Sequence, residues 1–269
     1  MDLELCHKTA LNLNNLSLIF IALAILQGNS PLSADKSDCA HTMSDYADRL
    51  RTVRQGLSQV ADQTHKPTPQ LLAVSKKHPA TAIAKLYHAG QRAFGESYVQ
   101  EALAKQQQLA DLALEWHFIG PVQSNKARDI ANHFAWVHSV DRLKIAQRLN
   151  DQRDPALGPL NICVQVNLDD EDSKSGVSPA ELLPLCQHIA AMPNLRLRGL
   201  MCIPQWQEDF SAQRASFARL RQLQEQLISA GMGPLDTLSM GMSSDFAAAI
   251  AEGSTIVRIG TALFGPREH

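Results

Sequence analysis

A chain of 269 residues with 45% apolar, 19% charged and 5% aromatic side chains has the make-up of a soluble globular protein, which excludes disordered and collagen-like classes. Its 25 Lys and Arg stand against 27 Asp and Glu, a formal net charge of −2, so no basic surplus exists to neutralise a nucleic-acid backbone or an anionic membrane. The length suits one α/β barrel or two smaller domains, and composition does not choose between them.

From the N-terminus, the apolar run LSLIFIALAIL at residues 16–26 is too short to span a bilayer as a helix. The flank before it carries Asp2 and Glu4 beside Lys8, where a secretory signal would be positive, and PLSA at 31–34 is only a fair cleavage site. Met43 opens MSDYADRLRTVRQGLSQV, an amphipathic helix with Tyr46, Leu50, Val53, Leu57 and Val60 on one face. Residues 1–42 therefore read as a leader or an artefactual extension outside the fold, with export as the alternative, and residues 43–269 as the folded domain.

Beyond residue 70, strand-like and helix-like segments alternate. The strands are expected at 71–75, 92–96, 115–120, 135–141, 161–168, 195–203, 237–241 and 255–260, short apolar runs rich in β-branched residues and bounded by polar turns. Helices are expected between them at 79–90, 98–112, 124–133, 142–151, 178–191, 209–230 and 244–252. Such alternation implies right-handed βαβ units and a parallel sheet. Eight strands fit a single (β/α)8 TIM-type barrel with an added N-terminal helix better than an open sheet, and no GxGxxG follows the first strand to favour a Rossmann fold. Five cysteines form an odd set without a CxxC pair or a zinc spacing, which points to reduced thiols and a cytoplasmic location. Cys163 and Cys202 lie in apolar strands and read as small buried hydrophobes.

In such a barrel the active site forms at the C-terminal ends of the strands, and phosphate is commonly held after strands 7 and 8. Here those loops read SMGMSSD at 239–245 and GTALFG at 260–265. Gly241 and Gly260 permit close backbone approach, while Ser243, Ser244 and Thr261 offer hydroxyls. Either loop alone is explained by helix capping and glycine turns; both at one barrel end favour a phosphate-bearing ligand. Lys76 ends strand 1 in LLAVSKK. A lysine there is commonly a solvated loop residue, but at a barrel mouth a partly desolvated amine beside Lys77 can attack an aldehyde. An aldehyde that carries its own phosphate is pyridoxal 5′-phosphate (PLP), and Arg258 on strand 8 is a candidate partner for its ring nitrogen.

The motifs LLAVSK, FGESYVQE, EWHFIGPVQSNK, SKSG, RGLMCIP, LSMGMSSDFAAAI and VRIGTALFG, ordered along residues 71–265, resemble the YggS/PROSC family, the pyridoxal phosphate homeostasis proteins. The resemblance spans essentially all of 43–269 and implies a barrel related to the N-terminal domain of alanine racemase. It implies that Lys76 carries PLP as a Schiff base, that Ser243, Gly260 and Thr261, with Gly241 and Met242, form the phosphate site, and that Arg258 faces the ring nitrogen. It also places Lys174 of SKSG near the cofactor's phenolic oxygen, although a solvated loop lysine is the plain alternative. Ser97 departs from the family's usual Asn in FGEN-Y, which shortens or removes any polar contact made there.

Weaker candidates are His117, Asn125 and Lys126 of HFIGPVQSNK, placed after the third strand, and His138 and Asp141 at the end of the fourth. Met201 and Met240 are expected to pack the cofactor wall or the core. Two functions remain open. One is a carrier or regulator of PLP that serves apo-enzymes and is expected to be a monomer; the other is a racemase-like PLP enzyme. The related racemases take a second base, a Tyr, from an additional C-terminal domain, whereas this sequence ends soon after its last barrel segment and its tyrosines are Tyr46, Tyr87 and Tyr98, all in the N-terminal part. The carrier is the expected function.

Overall fold

The computed structural model describes residues 39–169 and 175–266. The apolar run at 16–26 and Lys174 lie outside the described residues. The first element, α1 (Cys39–Thr64), begins four residues before Met43, and Leu50, Val53, Leu57 and Val60 are buried as their spacing predicts.

Eight strands follow, β1 (Gln70–Val74), β2 (Ala93–Glu96), β3 (Glu115–Phe118), β4 (Trp136–Val140), β5 (Leu160–Gln165), β6 (Leu195–Met201), β7 (Thr237–Ser239) and β8 (Ile256–Ile259). Each pairs in parallel with the next and β8 pairs with β1, which closes the barrel. The intervening helices are α2 (Ala80–His88), α3 (Val99–Gln108), α4 (Ala127–His133), α5 (Leu143–Gln152), α6 (Pro179–Ala190), α7 (Phe210–Ser229) and α8 (Phe246–Ala251), with a short α9 (Thr261–Phe264) after β8.

The two-residue period of the strands divides the side chains between two cores. Leu71, Ala73, Phe94 and Val257 face outward into a continuous layer shared with the helices, while Leu72, Ala93 and Ile256 face inward. Trp136, Cys163 and Met201 form a second inner cluster. Burying each large side chain in the outer layer contributes about 1.5–3 kcal/mol. Against α2, α8 and α9, α1 covers the seam where β8 meets β1.

Several expected boundaries shift for local reasons. The run at 237–241 leaves strand geometry after Ser239, because Gly241 adopts φ +94°, where a side chain would be strained and its Cβ would lie 2.6 Å from that of Ala249. The helix expected at 124–133 starts as a 3-10 turn, Ser124–Lys126, and α9 is too short to leave a periodic signal. Among the described residues, no helix is long and apolar enough to cross a membrane.

Candidate functional site

Lys76 lies half-buried in the turn between β1 and α2, two residues beyond Val74. The residue before it is clamped. Ser75 N–H donates to the Gly95 carbonyl at 3.0 Å and its hydroxyl donates to Glu96 Oε1 at 2.7 Å. Lys105 Nζ, reaching in from α3, donates to Ser75 O at 2.8 Å, to Glu96 at 2.7 Å and to Glu101 at 2.6 Å. Glu101 also accepts from the backbone N–H of Lys77, which sits at φ +64°. These bonds hold the lysine turn on both sides of Lys76.

The loop after β8 meets that turn. A side-chain carbon built on Gly260 would lie 3.3 Å from the Val74 carbonyl oxygen, and Phe264 of α9 stacks on His78 with ring centroids 4.8 Å apart. The loop after β7 is folded on itself, with Asp245 accepting from Met242 N–H while Asp245 N–H and Phe246 N–H donate to the Met242 carbonyl. Burial raises the Asp245 pKa, opposed by that bond and by the Arg258 charge. Ser243 is left half-buried and Ser244 exposed at the tip of the turn. The hydroxyls of Ser243, Ser244 and Thr261 are absent from every hydrogen bond made within the described residues. At the start of α9 the N–H groups of Leu263 and Phe264 donate to the Gly260 carbonyl, while those of Thr261 and Ala262 have no partner within the helix.

Arg258 is buried inside the barrel on β8. Its Nη1 donates to Ser239 O and, at 2.9 Å, to Ser239 Oγ, while Nη2 donates to Cys202 O at 2.9 Å. These bonds leave Nε–H and the second proton of Nη2 unused. Ser239 Oγ lies 2.8 Å from His138 Nδ1, His138 Nε2 lies 2.9 Å from His117 Nδ1, and His117 Nε2 lies 2.7 Å from Glu115 Oε1. Burial lowers the pKa of both imidazoles, that of His138 to well below its ordinary value. Glu115 is held below the usual carboxylate range chiefly by its hydrogen bond to His117.

The remaining expectations divide. His117 sits within β3, not after it, and both it and His138 are fully buried in the interior. Asp141 is ion-paired at 2.7 Å with exposed Arg142, Asn125 is exposed, and Lys126 is half-buried at the end of the 3-10 turn. Met201 packs on Trp136 and Cys163 inside the barrel, and Met240 belongs to the outer core. The backbone of Ser97 approaches Gly120 so closely that a Cβ there would lie 2.2 Å from the Ser97 carbonyl oxygen. Val177 bridges Val166 and Ser175 O accepts from Gln165, so the described part of that loop, from Ser175 onward, lies against the end of β5. Sequence reasoning missed Ser75, Glu96, Lys105 and Ser239. Only the Glu101 and Lys105 pair, four residues apart on a helix, carries a local signal.

This closed barrel with a lysine turn and two glycine-hydroxyl loops at one mouth matches the family model described as alanine racemase, N-terminal domain, over residues 49–268. The pyridoxal phosphate homeostasis protein of Pseudomonas aeruginosa PAO1 is 56% identical over 229 residues, covering 84% of this chain and 98% of the relative. That of Escherichia coli K12 is 50% identical over 238 residues, covering 84% and 99%. PipY of Synechococcus elongatus PCC7942, solved with PLP bound, superposes with a TM-score of 0.74 at 42% identity, covering 82% of this chain and all of that one. The chain belongs to the pyridoxal phosphate homeostasis protein family.

Proposed function

We propose that the protein binds PLP at the C-terminal mouth of the barrel and acts in PLP homeostasis as a carrier that passes the cofactor to apo-enzymes. The observation that carries this reading is the packing of Gly260 against the carbonyl end of β1, which brings the loop after β8 to the turn that bears Lys76. PLP supplies an aldehyde carbon that exchanges between amines. Lys76 would hold that carbon as a Schiff base. The unengaged hydroxyls of Ser243 and Thr261, with the backbone at Gly241, Met242 and Gly260, suit a phosphate, and the free Nε–H of Arg258 suits a ring nitrogen. Ser97 and Lys174 are kept as neighbours of the cofactor on the family resemblance alone. The PLP bound to PipY, 42% identical to this chain, supports PLP as the ligand.

A carrier is favoured over a racemase by the chemistry around Arg258. A guanidinium is a donor that keeps its own proton, so a ring nitrogen beside it stays unprotonated and the cofactor is a poor electron sink. No described tyrosine is built as a second base. Tyr46 packs on Phe264, Tyr87 lies beneath the Arg92 guanidinium, and Tyr98 is 51% exposed at the start of α3. Borohydride reduction of the PLP-loaded protein followed by peptide mapping is expected to place the pyridoxyl group on Lys76. Labelling mainly at Lys126 or Lys174 would reject the assignment.

A further inference from the structure

The chain of contacts from Arg258 to Glu115 has a direction, because its ends allow only one. A guanidinium can only donate and a carboxylate can only accept. Burial keeps both rings neutral, and His117 Nε2 donates to the Glu115 carboxylate. That leaves His117 Nδ1 to accept from His138 Nε2, and His138 Nδ1 to accept the proton of Ser239 Oγ, itself an acceptor from Arg258. Both imidazoles are neutral Nε2–H tautomers. Trp136 stacks on His117 with centroids 5.4 Å apart and 4° between planes, which fixes that ring.

Barrel interiors are ordinarily filled by branched apolar residues, so an aligned polar line leading to one buried cation calls for a cause. Arg258 is 5% exposed, the hydrogen-bond acceptors of its terminal nitrogens are neutral (two oxygens of Ser239 and the Cys202 carbonyl), and the Asp245 carboxylate acts on it through its charge without a hydrogen bond. A buried charge with neutral hydrogen-bond partners is costly, and hydrogen bonds in series polarise one another. A carboxylate at the far end strengthens each acceptor in turn.

We propose that Glu115, His117, His138 and Ser239 are positioning residues for Arg258, which carry the polarity of the Glu115 carboxylate across the barrel and hold the guanidinium with Nε–H turned to the cofactor site. The role rests on the PLP site proposed above. Glu115 side chain is 43% exposed, so the line begins at solvent and ends at the buried cation.

Two measurements test it. In the ligand-free full chain, nitrogen NMR of labelled histidines, assigned with His117→Gln and His138→Gln, should show both rings neutral and protonated at Nε2 at pH 7. An Nδ1–H tautomer or an imidazolium at either position would overturn the relay. In PLP titrations, Ser239→Ala and His138→Leu should lower affinity about tenfold or more, as expected for loss of a hydrogen bond to a charged group, and shift the bound cofactor's absorption maximum. His138→Gln, whose amide can accept from Ser239 and donate to His117, should restore both. Unchanged affinity and spectrum in Ser239→Ala and His138→Leu, with the unsubstituted protein binding PLP, would overturn the relay alone. Absence of PLP binding by the unsubstituted protein would overturn the cofactor reading and this role with it.

Discussion

Lys105 is 5% exposed, yet its three ammonium protons all find acceptors, on Ser75, Glu96 and Glu101. Its partner Glu96 is fully buried and keeps one oxygen, Oε2, without a hydrogen bond. Burial raises the Glu96 pKa, with the Lys105 charge and hydrogen bond acting against it. A carboxyl whose pKa is higher folded than unfolded binds protons more readily in the native state. Its contribution to stability is therefore complete below the ordinary carboxylate value and is lost as pH rises through the folded one. Replacing Lys105 with Met removes the opposing charge and raises that pKa further. Lys105→Met should cost about 3–5 kcal/mol at neutral pH, as for a broken buried ion pair. Urea denaturation should find the deficit larger at pH 8 than at pH 5, and equal deficits would remove Glu96 from the explanation.

At the scale of elements, the two loops after β7 and β8 are shaped by packing below them and left polar above. Ala249 leaves no room for a side chain at Gly241, whose carbonyl accepts from Arg258 N–H at 3.0 Å, and Asp245 closes the turn that bears half-buried Ser243. Ser243→Ala or Thr261→Ala should therefore leave folding unchanged and cost ~1.5–3 kcal/mol in PLP binding, the worth of a hydrogen bond to a charged group. Pyridoxal, which lacks the phosphate, should bind these variants as it binds the parent. Equal losses for the two ligands would show that neither hydroxyl touches phosphate.

For the whole molecule, closure of the barrel makes α1 part of the wall, since it covers the seam between β8 and β1. Its buried face begins at Leu50, so a chain that starts at Met43 should melt within a few degrees of the full chain and bind PLP equally well. A large loss of stability would mean that the residues before Met43 pack on the barrel. The carrier reading makes a separate demand. Exchange of the lysine for an incoming amine needs an accessible cofactor, whereas racemisation needs a base on each face. D- and L-amino acids in deuterated water should show negligible exchange at Cα, while PLP passes to an apo-enzyme. Multiple-turnover racemisation at ~1 s⁻¹ or faster, within the range of enzymes, would restore the racemase reading.

The order of strands and helices, the helical face of Leu50, Val53, Leu57 and Val60, and the placing of Lys76 and Arg258 at or near strand ends were legible in the sequence. These depend on periods of two and about 3.6 residues and on turn chemistry, which neighbouring residues encode. Strand lengths were less so, because Gly241 ends β7 through its contact with Ala249 in another element. What the tertiary structure alone decided is which inward faces meet. Ser239 reaches His138 across 101 residues, and Lys105 reaches Ser75 across 30. Closing eight strands into a ring sets these meetings through register and tilt, quantities that no local stretch of sequence contains.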